Sequence, residues 1–245
     1  MQITSKNMSN ITTTDQGIAI IEGETGGASY APDTNTLTLE NVIITKAYNL
    51  DGVYSYICSE RPLNIALAGS NILSSNSEFE YPFENGIYVK GNLTISGNGE
   101  LETSDNAAYH GIYVYDGDIT ISGVKLTLIC YTRGIYTNRN FYLSSGDVSI
   151  STTSPSSITG IACNVADISG GSLIAKCYGN FNTNSAISSG DVRFTNGITI
   201  ASTNPDGGSM LYIAQSIDHN FSDSNYKYVY YTDDSDTVKL NIAKE

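Results

Sequence analysis

Six short phrases recur along the chain: Gly52-Val53-Tyr54, Gly86-Ile87-Tyr88, Gly111-Ile112-Tyr113, Gly134-Ile135-Tyr136, Gly160-Ile161-Ala162 and Ala186-Ile187-Ser188. From the second onward they are spaced 25, 23, 26 and 26 residues apart. A unit of this length cannot bury an apolar face alone, so consecutive units must stack into a solenoid.

The unit from Gly86 shows what stacks. Gly86-Ile87-Tyr88-Val89 is followed by a break at Lys90-Gly91-Asn92, then Leu93-Thr94-Ile95, a break at Ser96-Gly97-Asn98-Gly99, and Glu100-Leu101-Glu102-Thr103. The unit from Gly111 repeats the plan with Asp116-Gly117-Asp118, Ile119-Thr120-Ile121 and Lys125-Leu126-Thr127-Leu128. Apolar and polar residues alternate between clusters of turn formers, which is strand chemistry. Three short strands per unit describe one rung of a three-sided parallel β-helix. The expected fold is therefore all-β: a single-domain, right-handed, three-sided parallel β-helix with terminal caps. Composition agrees, with 18 Tyr, 23 Gly, no Trp and only 15% charged residues.

Aligning the units predicts inward columns at Ile87, Ile112, Ile135, Ile161 and Ile187, at Val89, Val114, Thr137 and Cys163, and at Leu126, Val148 and Leu173. Residues 1–50 read as an N-terminal cap and first rung, 51–210 as the repeats and 211–245 as a C-terminal cap. In the first cap, an apolar run at Ile18–Ile21 precedes a hairpin over Ala28–Leu39 that turns at Pro32-Asp33. A cap is needed because the first rung otherwise exposes an open core and unpaired strand edges. In the last, Leu211–Ile213 is expected as a strand, followed by Tyr226–Tyr231 and Thr237–Ile242. All five prolines (Pro32, Pro62, Pro82, Pro155, Pro205) fall in expected turns or loops.

Charge excludes some functions. The formal net charge is -13, from 12 basic and 25 acidic residues. Nucleic-acid binding needs a basic stripe, and none is present. No apolar run reaches the roughly 20 residues that span a bilayer, so membrane insertion is not expected. Met1–Asn10 lacks the apolar stretch of a signal peptide, which leaves an intracellular chain or a mature one. Cys58, Cys130, Cys163 and Cys177 form no CxxC pair, and with two His they make no zinc signature. Cys130 and Cys177 share a column two rungs apart, too far for a disulfide.

The candidate site is the tyrosine column. Tyr54, Tyr88, Tyr113 and Tyr136 lie between inward neighbours and are expected to point outward as a strip that stacks on sugar rings or a partner protein. The same pattern also describes a self-supporting ladder on the sheet. Asp51, Asn85, His110 and Arg133 stand just before the glycine, and Lys90, Asp116 and Arg139 just after the strand. Insertions at 76–84, 105–110 and 178–182 are expected as loops at one corner. His110 with Arg133 and Asp116 would make an acid–base group, although an exposed His is usually unremarkable. Glu100 and Glu102, or Asp116 and Asp118, are the carboxylate pairs on offer, and no pair recurs on neighbouring rungs to build a cleft. Asn92, Asp118, Asn140 and Asp191, with Asn164 nearby, form a turn column best read as structural.

The stretch Ala28–Leu39, Gly-Ile-Tyr-Val, and the Asn-Leu-Thr-Ile-Ser-Gly and Asp-Ile-Thr-Ile-Ser-Gly segments together resemble repeat proteins found on or outside cells of anaerobic Gram-positive bacteria. The resemblance covers about residues 28–200. Some of that group are described as carbohydrate-binding, with a fold similar to pectate lyases, and no catalytic residue transfers from it. It implies secretion or surface display with the signal peptide removed. The expected function is a non-catalytic module binding a polysaccharide or surface glycan through Tyr54, Tyr88, Tyr113, Tyr136, His110, Arg133 and Asp116. The alternatives are a structural or adhesive spacer, and a polysaccharide lyase or glycoside hydrolase. A monomer is expected, with no cofactor; calcium is the metal that acidic turns can take.

Overall fold

The computed structural model describes residues 2–3, 25–45, 47–50, 52–74, 85–154, 159–177, 185–194, 199–203, 226–232 and 237–244. The expectations for 18–21, 51, 76–84, 178–182 and 211–213, and for Pro82, Pro155 and Pro205, lie outside these residues. The described chain is all strand and turn, with no helix.

Strands β1 (Gln2–Ile3), β2 (Thr25–Ala31), β3 (Thr36–Ile44) and β4 (Tyr48–Leu50) precede the regular rungs. β2 and β3 pair antiparallel around the turn at Pro32, where Asn35 takes φ of 48° and its N–H donates to Pro32 O at 3.3 Å. β5 (Val53–Ser59), β6 (Leu63–Ala68) and β7 (Ser70–Leu73) form the three sides of the first full turn. β8 (Asn85–Val89), β9 (Leu93–Gly97) and the start of β10 (Glu100–Val114) form the next. The end of β10, β11 (Ile119–Ser122) and the start of β12 (Val124–Thr137) follow, then the end of β12, β13 (Asn140–Leu143) and β14 (Gly146–Thr152). β15 (Thr159–Ile168) with β16 (Ser172–Cys177), and β17 (Ser185–Phe194) with β18 (Thr199–Thr203), add two more. β19 (Tyr226–Thr232) and β20 (Thr237–Lys244) pair antiparallel with each other, and β20 pairs antiparallel with β18. All rung-to-rung pairings from β5 to β18 are parallel, so the fold is a parallel β-solenoid.

The three expected columns lie in register, the second as far as Thr137; Cys163, expected next in it, is only partly buried against the core. Ile87, Ile112, Ile135, Ile161 and Ile187 stack in one line with at most 1% exposure. Val89, Val114 and Thr137 stack in the second, and Leu101, Leu126, Val148 and Leu173 in the third. Each such apolar side chain withdrawn from water contributes about 1.5–3 kcal/mol. At the N-terminal end of the third column Asn71 replaces an apolar residue. It accepts from Val42 N–H at 3.0 Å and donates to Ala68 O at 3.1 Å and Glu100 O at 3.0 Å, so its burial is compensated.

The glycines that open β-strand phrases at 86, 111 and 134 have negative φ, and space rather than dihedral freedom explains them. A Cβ on Gly111 would meet Gly134 O at 2.6 Å. One on Gly134 would meet Gly160 O at 2.7 Å and overlap the Ile150 side chain. The turn column is structural, as its composition suggests. Asn92 Oδ1 accepts from Asp118 N–H at 2.9 Å and Asp118 Oδ1 from Asn140 N–H at 3.1 Å. Val165 then takes the place of the Asx residue.

Two expectations are corrected. Gly52-Val53-Tyr54 is not a rung phrase. Gly52, at φ of 88°, belongs to the tight connection between antiparallel β4 and β5, where Leu50 pairs with Val53. Its rung instead aligns Ile57 with Ile87 and Cys58 with Tyr88. Residues 105–110 are not a loop: β10 runs unbroken through them, and the extra residues are absorbed as register shifts against β12.

Gly134→Ala is expected to cost about 2–3 kcal/mol by overpacking. Urea denaturation should show this loss, while Glu102→Gln, at an exposed position, should stay within about 0.5 kcal/mol of the parent.

Candidate functional site

The tyrosine column is Cys58, Tyr88, Tyr113, Tyr136, Ala162 and Ser188. Tyr54 stands outside it; its carbonyl accepts from Asn85 Nδ2 at 3.2 Å. The three rings in register stack on one another. Tyr88 and Tyr113 have centroids 5.4 Å apart and planes 13° from parallel, and Tyr113 and Tyr136 are 5.0 Å and 22°. These distances match the rung spacing, so the stacking follows from register.

The ladder is not the uniformly exposed strip expected. Tyr88 keeps only 4% of its surface, packed in a cluster with Cys58 and flanked by Val53 and Tyr113. Tyr113 and Tyr136 are half-buried. On the far side the register partner of Tyr136 is Ala162, which carries no ring. The ladder is closed at Tyr88 and ends in a step at Tyr136.

His110 is the hub of the surrounding patch. It lies in the column Ser55, Asn85, His110, Arg133, Thr159, whose last four members immediately precede a glycine. Its ring contacts Tyr113 at 5.4 Å, Tyr136 at 6.4 Å and the edge of Tyr109 at 4.7 Å. Tyr109 in turn lies 6.0 Å from Tyr131. The hydrogen bonds define the tautomer. Asn85 Nδ2 is spent on Tyr54 O, so its Oδ1 accepts from His110 Nδ1–H at 3.0 Å. His110 Nε2 then accepts from Arg133 Nη1 at 3.2 Å. Donors therefore point one way, from Arg133 through His110 and Asn85 to the Tyr54 carbonyl. The Arg133 guanidinium also sits 5.1 Å from the Tyr136 ring centroid, a cation–π contact.

This setting keeps His110 neutral. Desolvation by burial, reinforced by the Arg133 charge, lowers its pKa from 6.5 to about 4. Asp116 does not belong to the group: its Oδ1 accepts from Arg139 Nε at 2.8 Å, in the turn that follows β10. The expected His110–Arg133–Asp116 acid–base group is thus corrected to His110 with Arg133 and Asn85, because Asp116 lies beyond the end of β10 and is paired with Arg139. Desolvation is also the leading cause of the raised Tyr113 pKa, so its hydroxyl stays protonated and remains a donor.

The other carboxylates are accounted for similarly. Glu100 Oε2 accepts from Lys125 Nζ at 3.0 Å, and Glu102 is exposed. No group of three or more His, Cys, Asp or Glu side chains converges among the described residues. Cys130 and Cys177 share a column with Thr152 between them, as the spacing requires. Cys163 is held protonated: burial raises its pKa to about 11, opposed by a hydrogen bond to Ser189.

Sequence reasoning missed Tyr109, Tyr131 and Tyr115. Tyr109 and Tyr131 stand at different distances from their glycines, so aligning units on Gly-Ile-Tyr leaves them unmatched. Register pairs Ala108 with Cys130 and then His110 with Arg133, leaving two residues of β12, Tyr131 and Thr132, opposite Tyr109. Thr132 is buried and donates its hydroxyl to Tyr109 O at 2.9 Å, which holds the bulge.

A family model described as "Carbohydrate-binding domain-containing protein" matches residues 7–203. No curated protein and no solved structure matches the chain.

The neutral His110 has a pH signature. A lowered folded-state pKa means that the unfolded chain takes up this proton first, so stability falls as pH drops from about 6.5 to about 4 and then levels off. The loss is on the order of 3 kcal/mol. Urea unfolding at pH 7 and pH 4 should show a smaller difference in His110→Gln than in the parent. Carboxylate titration is common to both proteins and cancels.

Proposed function

From its membership of the carbohydrate-binding domain-containing family, to which this chain belongs, we propose that it binds a glycan at the aromatic patch around His110, as a non-catalytic module of a secreted or surface-displayed protein. The observation that carries this reading is the Arg133–Tyr136 step. There the ladder ends beside Ala162, and the guanidinium sits 5.1 Å from the last ring centroid. Sugars are held by an aromatic surface against their C–H groups and by planar polar side chains against their hydroxyls. Arg133 gives one N–H to His110 and keeps further donors on an exposed side chain.

A non-catalytic role is favoured by how the titratable groups are engaged. Both ring nitrogens of His110 are hydrogen-bonded, and Glu100 and Asp116 are in ion pairs. Export is supported by the likeness of the repeats to bacterial surface proteins.

Relative to this reading, the ladder has a divided role. Tyr88 supports the sheet, and Tyr136 meets ligand. On an array of plant and bacterial polysaccharides the parent protein is expected to be retained by at least one glycan. Arg133→Ala and Tyr136→Ala should each weaken that binding about tenfold, near 1.4 kcal/mol. A parent protein that no glycan retains would leave a structural spacer as the better reading.

A further inference from the structure

Tyr115 is an exposed large aromatic one residue past the end of β10, with 58% of its surface open. It follows Val114, whose side chain is buried in the core, and its own N–H still joins the ladder, donating to Val89 O at 2.9 Å, so the alternation that buries Val114 carries Tyr113 and Tyr115 to the same outer side. Desolvation dominates the Tyr113 shift, and Tyr115 is among its electrostatic neighbours. Asn138, next to the register partner of Val114, is exposed and places no ring over it.

Beside Tyr115 lies the Asp116–Arg139 ion pair, joined through Oδ1 and Nε at 2.8 Å with both side chains more than half exposed. The bond uses one carboxylate oxygen and one guanidinium N–H. The second oxygen and the Nη groups are left as an acceptor next to donors. Each sugar hydroxyl both donates and accepts, so a vicinal diol meets this pair with matched hydrogen bonds.

We propose that Tyr115 with the Asp116–Arg139 pair forms a second sugar subsite, so that a linear glycan lies along the strands, crosswise to the solenoid axis. The proposal rests on the glycan-binding reading above and adds direction and length to it. A ligand running down the tyrosine column meets the buried Tyr88 and Cys58 on one side and the ringless Ala162 on the other. A ligand running along the strands passes from Arg133 over Tyr136 to Tyr115 and Arg139.

The test compares disaccharides and hexasaccharides of linear β-1,4-linked glucose, xylose and mannose by titration calorimetry on the full chain. Tyr115→Ala and Arg139→Ala are expected to weaken hexasaccharide binding about tenfold and to change disaccharide binding by less than about twofold. Tyr136→Ala should weaken both. Unchanged thermal melting of Tyr115→Ala confirms that the exposed side chain is not needed for folding. Hexasaccharide affinity equal in parent and Tyr115→Ala overturns the second subsite and leaves the glycan-binding reading standing. Failure of every oligosaccharide to bind the parent overturns the second subsite as stated. If the polysaccharide array then also retains nothing, the underlying reading falls with it.

Discussion

Parallel, in-register stacking of one turn on the next is the constraint on which everything else in this molecule depends. Backbone N–H and C=O groups must pair between rungs, which sets residues about one repeat apart at roughly 4.8 Å. Any residue type that recurs in step becomes a continuous column. Isoleucine makes a core line, Asx residues make a line of backbone acceptors, and tyrosine makes a ring stack with centroids 5.0 and 5.4 Å apart. Glycine at the head of the phrase is required by the same closeness, since a Cβ on Gly111 would press on the carbonyl of Gly134 one turn on.

The candidate site arises where that regularity lapses. Extra residues in β10 and the bulge at Tyr131-Thr132 in β12 shift the corner before the glycines, and this brings Tyr109 against His110 with Tyr131 behind Tyr109. The column that holds His110 is polar, and its hydrogen bonds run in one direction from an exposed guanidinium to a backbone carbonyl. Burial and the Arg133 charge together keep the imidazole neutral, so it serves as a fixed acceptor for Arg133 instead of a proton carrier. The result is a positioned arginine over the last ring of a tyrosine stack, on a fold whose family is named for carbohydrate binding.

Particular residues show how far the chain can be read in advance. Ile87, Ile112, Ile135, Ile161 and Ile187 are legible because a period-2 strand within a near-constant repeat leaves one inward choice. Asn92 and Asp118 are legible because Asx residues in turns favour bonds to the backbone. Tyr54 is not. Asp51-Gly52 is equally a hairpin dipeptide, and only the pairing of β4 with β5 reveals which role it takes. Asp116 groups with His110 in the sequence because both flank one strand. The structure keeps His110 within β10, places Asp116 in the turn past its end and gives Asp116 to Arg139.

The amino-acid sequence carried the architecture: repeat spacing, alternation and turn chemistry are local properties, and they already specify stacked three-sided rungs with apolar columns inside. Tertiary structure alone decided which tyrosines are open, which ring ends the ladder and which charges meet. Those outcomes depend on register between rungs of unequal length. A shift of one or a few residues at a corner changes every neighbour of His110 and leaves the local pattern of each strand unchanged.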